Sequence, residues 1–206
     1  MSSIWINYGS LSLIVQQLSE MRRDAMLSGM KTILWATLTA NGNYARSSQR
    51  HTPKPEATAD FAAHAREHGN FIVGRQTFLE FQENASRRPQ NAPLEGIDIV
   101  VVSSTLALPP GAPARTATDP RAALALLRER GHQVALVVGG ERLHNAFLGA
   151  GLVDEIIVVV TPSLEDEGRR IVLPRDERRE ATLIEHKPLG GGLIRLRYAL
   201  GPADTW

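Results

Sequence analysis

Three short stretches place small or charged residues directly after apolar runs, where a ligand could reach the backbone. Gly139 and Gly140 stand between "ALVV" and "ERLHNAFL". In "IVGRQT", Gly74 ends an apolar run, Arg75 adds a guanidinium fork and Thr77 a hydroxyl. In "VVVSSTL", Ser103, Ser104 and Thr105 follow a third run. A glycine leaves no Cβ in the way of an approaching anion. A helix starting just beyond it offers unpaired N–H groups and a partial positive charge. The chemistry these groups suit is phosphate or ribose binding. Each stretch alone also reads as a plain turn. Together, in the order "GRQT", "SST", "GGERL", they suggest one long anionic ligand across a sheet edge, and a dinucleotide has that shape. The G-x-G-x-x-G fingerprint is absent, so this is not an ordinary Rossmann domain.

Chemistry on a ligand held there would also need a proton source. Asp60 is the candidate catalytic carboxylate, at the start of an expected helix upstream of "GRQT". In that position it also reads as a charge favouring the helix dipole. The six histidines, His51, His64, His68, His132, His144 and His186, include one pair four apart, His64 and His68, but no H-E-x-x-H pattern. No metal site is expected, and His144 reads as structural. Arg87 and Arg88 in "SRRP" read as a solvated loop, with a substrate phosphate as the alternative. There is no cysteine, which excludes disulfides and thiolate chemistry.

The elements that must hold these groups alternate along the chain. "KTILWATLTA" reads as a strand with Ile33, Trp35 and Thr37 on one face. "TADFAAHAREHG" reads as a helix with Thr58 as cap and Gly69 as stop. "NFIVG" is a buried strand, "RQTFLEFQ" a short helix, and "SRRPQNAPLEG" a loop. "IDIVVVSS" and "QVALVV" are buried strands around the helix "DPRAALALLRERG", capped by Asp119, with Pro120 in its first turn and Gly131 at its end. "ERLHNAFLGAG" is a helix closed by glycines, "EIIVVVTP" a strand, and "RREATLIEHKPLGGGLIRLRYAL" a hairpin around a glycine turn. The acidic stretch from Glu165 to Arg170 reads as an exposed turn. This pattern is an α/β class with a mostly parallel central sheet flanked by helices and a C-terminal antiparallel hairpin.

Residues 1 to 29 read as an N-terminal accessory segment, with Leu11, Ile14, Leu18 and Met21 at amphipathic-helix spacing. The compact domain spans 30 to 206. With 23 Lys and Arg against 22 Asp and Glu, the net charge of +1 gives no electrostatic case for nucleic acid or an anionic membrane. The expected location is the cytoplasm.

The motif order resembles that of the dihydrofolate-reductase-like superfamily, and most closely the RibD C-terminal domain family of riboflavin-biosynthesis reductases. "VVGGERLHNAFLGAGLVDEIIVVVTPSL" is similar to its glycine-pair segment, "FIVGRQTFLEF" to its phosphate-binding strand–helix turn, and "IVVVSSTL" to the strand that reads the adenosine 2′-phosphate side. The closing "LIEHKPLGGGLIRLRYAL" resembles the terminal hairpin. The resemblance implies NADPH-dependent reduction of a pyrimidine-type heterocycle. It implies that Gly139, Gly140, Glu141, Arg142 and Leu143 line the pyrophosphate, that Gly74, Arg75 and Thr77 hold phosphates, and that Ser103 and Ser104 contact the ribose or its phosphate. Ala36 matches the position whose backbone holds the nicotinamide carboxamide. Asn41 stands where the family carries an aspartate after the first strand and is the candidate substrate-binding residue. Val138 stands where a glutamate often precedes the glycine pair. Asn41 together with the candidate Asp60 leaves a dihydrofolate- or dihydropterin-type reductase as one alternative, and the departures at Asn41 and Val138 leave a catalytically inactive nucleotide-binding homologue as another. A homodimer is also implied.

Overall fold

The computed structural model describes residues 29–45, 53–87, 95–166, 168–175 and 177–205. The elements are β1 (Lys31–Thr39), α1 (Pro55–His68), β2 (Asn70–Gly74), α2 (Arg75–Arg87), β3 (Asp98–Val102), β4 (Ala114–Ala117), α3 (Pro120–Glu129), β5 (Val134–Val137), α4 (Glu141–Gly149), β6 (Glu155–Thr161), β7 (Glu177–Gly190) and β8 (Leu193–Thr205). They build one eight-stranded sheet in the order β4-β3-β2-β5-β1-β6-β8-β7. The first six strands in that order run parallel. β8 runs antiparallel to β6, and β7 to β8. The accessory segment lies outside the described residues, apart from Gly29.

β1 is buried on both faces, so alternate residues feed two cores. Ile33 and Trp35 pack with Phe71, Val73 and Leu136 under α1 and α2. Leu34 and Ala36 pack with Ile72, Val137, Leu124, Leu127, Phe147 and Leu148 under α3 and α4. Helices on both faces and strands running one way bring every βα turn to one edge of the sheet.

Several boundaries differ from the sequence expectation. α1 begins at Pro55 with Lys54 as N-cap, so Thr58 lies inside the helix, its hydroxyl donating back to Lys54 O at 3.2 Å. Proline at the first helical position sets the start, because its missing N–H costs nothing there. α2 runs through Arg87, well past the expected short helix; Arg88 lies outside the described residues. β4 has no counterpart in the sequence reading. It is four residues of "ARTA", too short and too polar to show a period. The cap at α3 is as expected: Asp119 accepts from Ala122 N at 2.9 Å. So is the hairpin, which turns at Gly190, Gly191 and Gly192, all with positive φ. Gly191 needs its missing side chain, since a Cβ there would lie 2.6 Å from Glu56 Oε1.

Candidate active site at the strand ends

Gly74, Ser103 and Gly139 end three neighbouring strands, β2, β3 and β5. Gly74 pairs with Val102, and Ile72 pairs with Val137. Counting two residues on from that second pair puts Gly139 level with Gly74, and Ser103 one residue past it on the other side. Strands sit roughly 4.8 Å apart, so the three ends span about 10 Å of one edge. α2 and α4 start directly after Gly74 and Gly140, so the free N–H groups of both first turns point at that edge. No acid stands in the first turn of α2.

The glycines answer to close approach between the two turns. Gly74 N donates to Gly139 O at 2.8 Å. A Cβ on Gly140 would lie 3.3 Å from Thr77 Oγ1, and one on Gly139 would lie 3.2 Å from His144 Cε1. Gly139 also holds φ at +106°, where L side chains are disfavoured. The result is a shallow cradle floored by backbone and flanked by Thr77. Arg75 is exposed at its β3 side and donates from Nη1 to Thr105 Oγ1 at 3.4 Å. Ser103 Oγ accepts from the amides of Thr105 and Leu106 at 3.2 and 3.0 Å, which fixes the turn and leaves its hydroxyl proton to donate outward. Ser104 is exposed.

Beneath the cradle, Tyr44 and His144 form a buried pair. Tyr44 Oη lies 2.5 Å from His144 Nδ1, and His144 Nε2 lies 3.2 Å from Val137 O. A carbonyl only accepts, so Nε2 carries the ring proton, Nδ1 accepts, and Tyr44 donates. Burial drives the His144 pKa from 6.5 down to about 3 despite the raising effect of the Val137 carbonyl. Burial, with the Glu141 charge second, raises that of Tyr44. Both side chains are neutral at physiological pH. His144 supports Gly139 from below, and Tyr44 ties it to the segment after β1.

That segment is stitched to the one after β6. Asn41 Nδ2 and Asn43 Nδ2 both donate to Glu165 O, at 2.6 and 2.9 Å. Glu165 N donates to Asn41 Oδ1 at 3.3 Å, and Tyr44 N to Arg169 O at 2.8 Å. Arg169 Nε in turn lies 3.5 Å from Glu141 Oε2. Asn145 of α4 bonds Arg170 O and Val172 N at 3.4 and 3.0 Å. The described residues of the stretch from Glu165 to Arg170, expected to be an exposed turn, include exposed Asp166, Arg169 and Arg170 and also form a wall joined to both β1 and α4.

A model of the RibD C-terminal domain matches residues 31–194. The chain belongs to the RibD C-terminal domain family. No curated protein matches the sequence. Solved structures share the fold at low identity. A protein from Shewanella sp. PV-4, provisionally named for riboflavin biosynthesis, is 18% identical, with a TM-score of 0.65 over 84% of this chain and 100% of that one. RibD of Acinetobacter baumannii is 19% identical with a TM-score of 0.60 over 86% of this chain. This chain spans only 60% of that longer protein. The riboflavin biosynthesis reductase of Saccharomyces cerevisiae is 15% identical, with a TM-score of 0.56 over 84% of this chain and 90% of that one.

Within this RibD-type domain, several expected site residues sit differently from their sequence reading. Ala36 is buried, and its backbone faces β6. Lys31 N donates to Gln133 O of the β5 side while Asp154 N donates to Thr32 O, so odd residues of β1 face β5 and even ones face β6. β5 ends at Val137 while β1 continues to Thr39, which opens a notch beside the glycine pair. The backbone bordering that notch belongs to Trp35 and Thr37, one residue either side of Ala36, and its far side is closed by Ala45 N, which donates to Thr37 O at 3.0 Å. Leu143 is a core residue, 6% exposed, with its N–H donating to Gly140 O at 3.0 Å. Neither its side chain nor its amide is open to a ligand. Glu141 turns its carboxylate to Arg169, so what it can offer an anion is its backbone amide. Arg142 is exposed.

Asp60 is in the second turn of α1, not the first, and both its oxygens are taken. Trp35 Nε1 donates to Oδ2 at 3.0 Å, and Arg195 Nη1 donates to Oδ1 at 2.6 Å. Arg195 also holds Glu185 Oε1 at 2.6 Å. Asp60 thus anchors α1 to β1 and to the hairpin. Asn41, the expected substrate contact, spends its amide on Thr39 and Glu165. The sequence reading does not single out Tyr44, Asn43 and Arg169, and no spacing rule marks them, because the contacts that join them to the site, Tyr44–His144, Asn43–Glu165 and Tyr44–Arg169, each span about 100 residues or more. A hollow of about 260 Å³ lined by Asp98, Pro113, Arg115 and Arg130 lies at the opposite edge, where β3 begins, and plays no part in this arrangement.

Proposed function

We propose that this domain is an NADPH-dependent reductase of a pyrimidine-type heterocycle, of the class that reduces 5-amino-6-(5-phosphoribosylamino)uracil. The observation that carries the reading is the alignment of Gly74, Ser103 and Gly139 on one edge, within a domain of the RibD C-terminal family. Relatives of this fold include a riboflavin biosynthesis reductase and a pyrimidine reductase-like protein. The residues fit a dinucleotide phosphate. The cradle is one that a Cβ on Gly140 would fill, and the amides of α4's first turn look into it. Arg75 and Thr105 supply a charged donor and a hydroxyl on the β3 side, with Ser103 and Ser104 beside them, where a 2′-phosphate would be bound. When bound, the cofactor supplies the hydride. The chain would orient it: Gly139 and Gly140 would hold the pyrophosphate, and the backbone of Trp35, with the amide of Thr37 beside it, would border the nicotinamide amide. His144 and Tyr44 hold that floor in place.

Asp60 supported the dihydropterin alternative, and its engagement by Arg195 and Trp35 removes that support. The homodimer and the cytoplasmic location belong to the same proposal. Ile184 and Leu183, both about half exposed on the outer strand β7, suit a protein surface, and among the described residues no helix is long and apolar enough to cross a membrane. The test is titration of NADPH and NADH by quenching of tryptophan fluorescence, with Arg75→Ala alongside. Preferential NADPH binding that Arg75→Ala weakens by about tenfold, with NADH little changed, is the expected result. Failure to bind either cofactor refutes the reading. Binding without turnover of either the ribosylaminopyrimidine or dihydrofolate identifies an inactive homologue.

A further inference from the structure

The last turn of α1 carries a group of side chains that the strand-end site does not use. His64, Glu67 and His68 stand at i, i+3 and i+4, so they share one face. One donor atom from each lies within 4.8 Å of the others. His64 is 6% exposed, and its Nδ1 is sealed from solvent with no hydrogen-bond partner. The nearest polar atom in the cluster is Glu67 Oε2, at 3.5 Å. The two imidazole rings lie nearly parallel, 17° apart, with centroids 6.2 Å from one another. Glu67 is largely exposed, so its carboxylate is free to swing and admit an ion.

We propose that His64 Nδ1, the Glu67 carboxylate and His68 bind a divalent transition cation of the zinc class. Two imidazoles and one carboxylate suit Zn²⁺, Co²⁺, Ni²⁺ or Cu²⁺, whereas Mg²⁺ and Ca²⁺ take oxygen ligands. Three protein donors leave at least one position for water. An unsatisfied buried nitrogen costs about 1–3 kcal/mol, and a bound ion removes that cost. The carbonyl end of a helix also favours positive charge. Burial lowers the pKa of both histidines, and metal binding requires the unprotonated ring.

His64 Nε2 lies 3.2 Å from Arg195 Nη1, which can only donate, and 3.8 Å from Asp60 Oδ2, beyond hydrogen-bond reach, so in the ion-free ring Nε2 accepts and the proton stands on Nδ1. Binding an ion at Nδ1 therefore moves the ring proton to Nε2, and Arg195 Nη1 gives up that contact so that Nε2–H faces the Asp60 carboxylate. Arg195 keeps its bonds to Asp60 Oδ1 and Glu185. The charges facing the turn from the sheet are Arg195 and Arg197 of β8, opposed by Glu185 of β7 and Glu155 of β6. The sequence reading expects no metal because the H-E-x-x-H pattern and a further acid cluster are absent; Glu67 alone supplies the third donor. This site is independent of the reductase reading.

The test is titration of the purified protein with Co²⁺, followed by its visible absorption, and displacement by Zn²⁺. The expected result is saturable binding of one ion per chain that excess Mg²⁺ does not disturb. His68→Ala and Glu67→Ala should each weaken it about tenfold or more, while His186→Ala, on an exposed strand position, should leave it unchanged. Neither altered ligand is buried, and far-UV circular dichroism checks that the fold persists. No saturable binding up to about 0.1 mM ion, or binding that His68→Ala leaves intact, overturns the proposal.

Discussion

Lowering the pH from 7 to 5 should destabilise the wild-type protein by about 2 kcal/mol more than it destabilises a His144→Gln variant. The reasoning starts from the two hydrogen bonds of His144. Nδ1 accepts from Tyr44 and Nε2 donates to Val137 O, so both nitrogens are committed in the neutral ring. Protonating Nδ1 would break the Tyr44 bond and place an unpaired charge in the core. Burial accordingly moves the pKa from 6.5 to about 3. The folded value is depressed, so across that window the unfolded chain binds a proton that the native state does not. Stability then rises with pH and is lost as pH falls, by about 1.36 kcal/mol per unit where the unfolded ring is fully charged. At pH 7 the unfolded ring is mostly neutral, so integrating down to pH 5 gives about 2 kcal/mol rather than the full two-unit value. Glutamine keeps a donor and an acceptor but cannot titrate. Urea unfolding of both proteins at both pH values gives the double difference, in which shared contributions from His64 and His68 cancel. A difference under about 0.5 kcal/mol would show that His144 takes up its proton freely in the native state. The same pair predicts the opposite sign at high pH. The Tyr44 pKa is raised, so its contribution is complete below about pH 10 and declines above it, and Tyr44→Phe should remove that alkaline decline.

Two further substitutions test the packing that shapes the site. Gly139→Ala must place a Cβ at φ +106° and 3.2 Å from His144 Cε1, so a loss of about 2 kcal/mol or more is expected in urea unfolding, and a loss under about 0.5 would show that the turn relaxes freely. Asp60→Ala takes the acceptor from buried Trp35 Nε1 and leaves Arg195, whose side chain is only 12% exposed, with Glu185 as its remaining carboxylate, and should cost about 3 kcal/mol. The double variant Asp60→Ala/Arg195→Met should recover part of that loss, and strict additivity would show that the pair is not coupled.

The parts of the fold that could be read from sequence are those set by local rules. Apolar runs gave β1, β2, β3, β5 and β6, because strands buried on both faces need no period beyond continuous hydrophobicity. Asp119 and Pro120 marked α3 because capping is a contact between residues three apart. The order of strand ends followed from helices alternating with strands, and so did the cradle. The misses have more than one cause. α1 starts at Pro55 rather than at a cap on Thr58, since the chain satisfied its first turn with proline instead of a side chain. The family resemblance implies Leu143 as a ligand contact, yet the third residue of that helix turns into the core. Asp60 was read by its place in a helix, but its role is fixed by Arg195, 135 residues later. Partners that distant leave no periodic trace in a single sequence.

The wall formed by Asn41, Asn43, Tyr44, Glu165 and Arg169 bears on specificity. Most of its hydrogen bonds run from one segment's side chain or amide to the other's backbone, at Glu165 O, Glu165 N and Arg169 O. Such bonds fix the path of the segment after β6 without fixing its side chains, so residues there can vary while the wall stays in place. The cofactor side is different. Its cradle depends on Gly74, Gly139 and Gly140 having no side chains, on Thr77 facing Gly140, and on His144 filling the space below. A change at any of these moves backbone that the proposed dinucleotide would touch. The two halves of the site therefore answer to different constraints: the cradle is set by packing and can be recognised in sequence, whereas the proposed heterocycle would meet loops whose positions are held but whose surfaces are not. This is the physical reason that the family assignment follows from the motifs while the choice of heterocycle must come from turnover measurements.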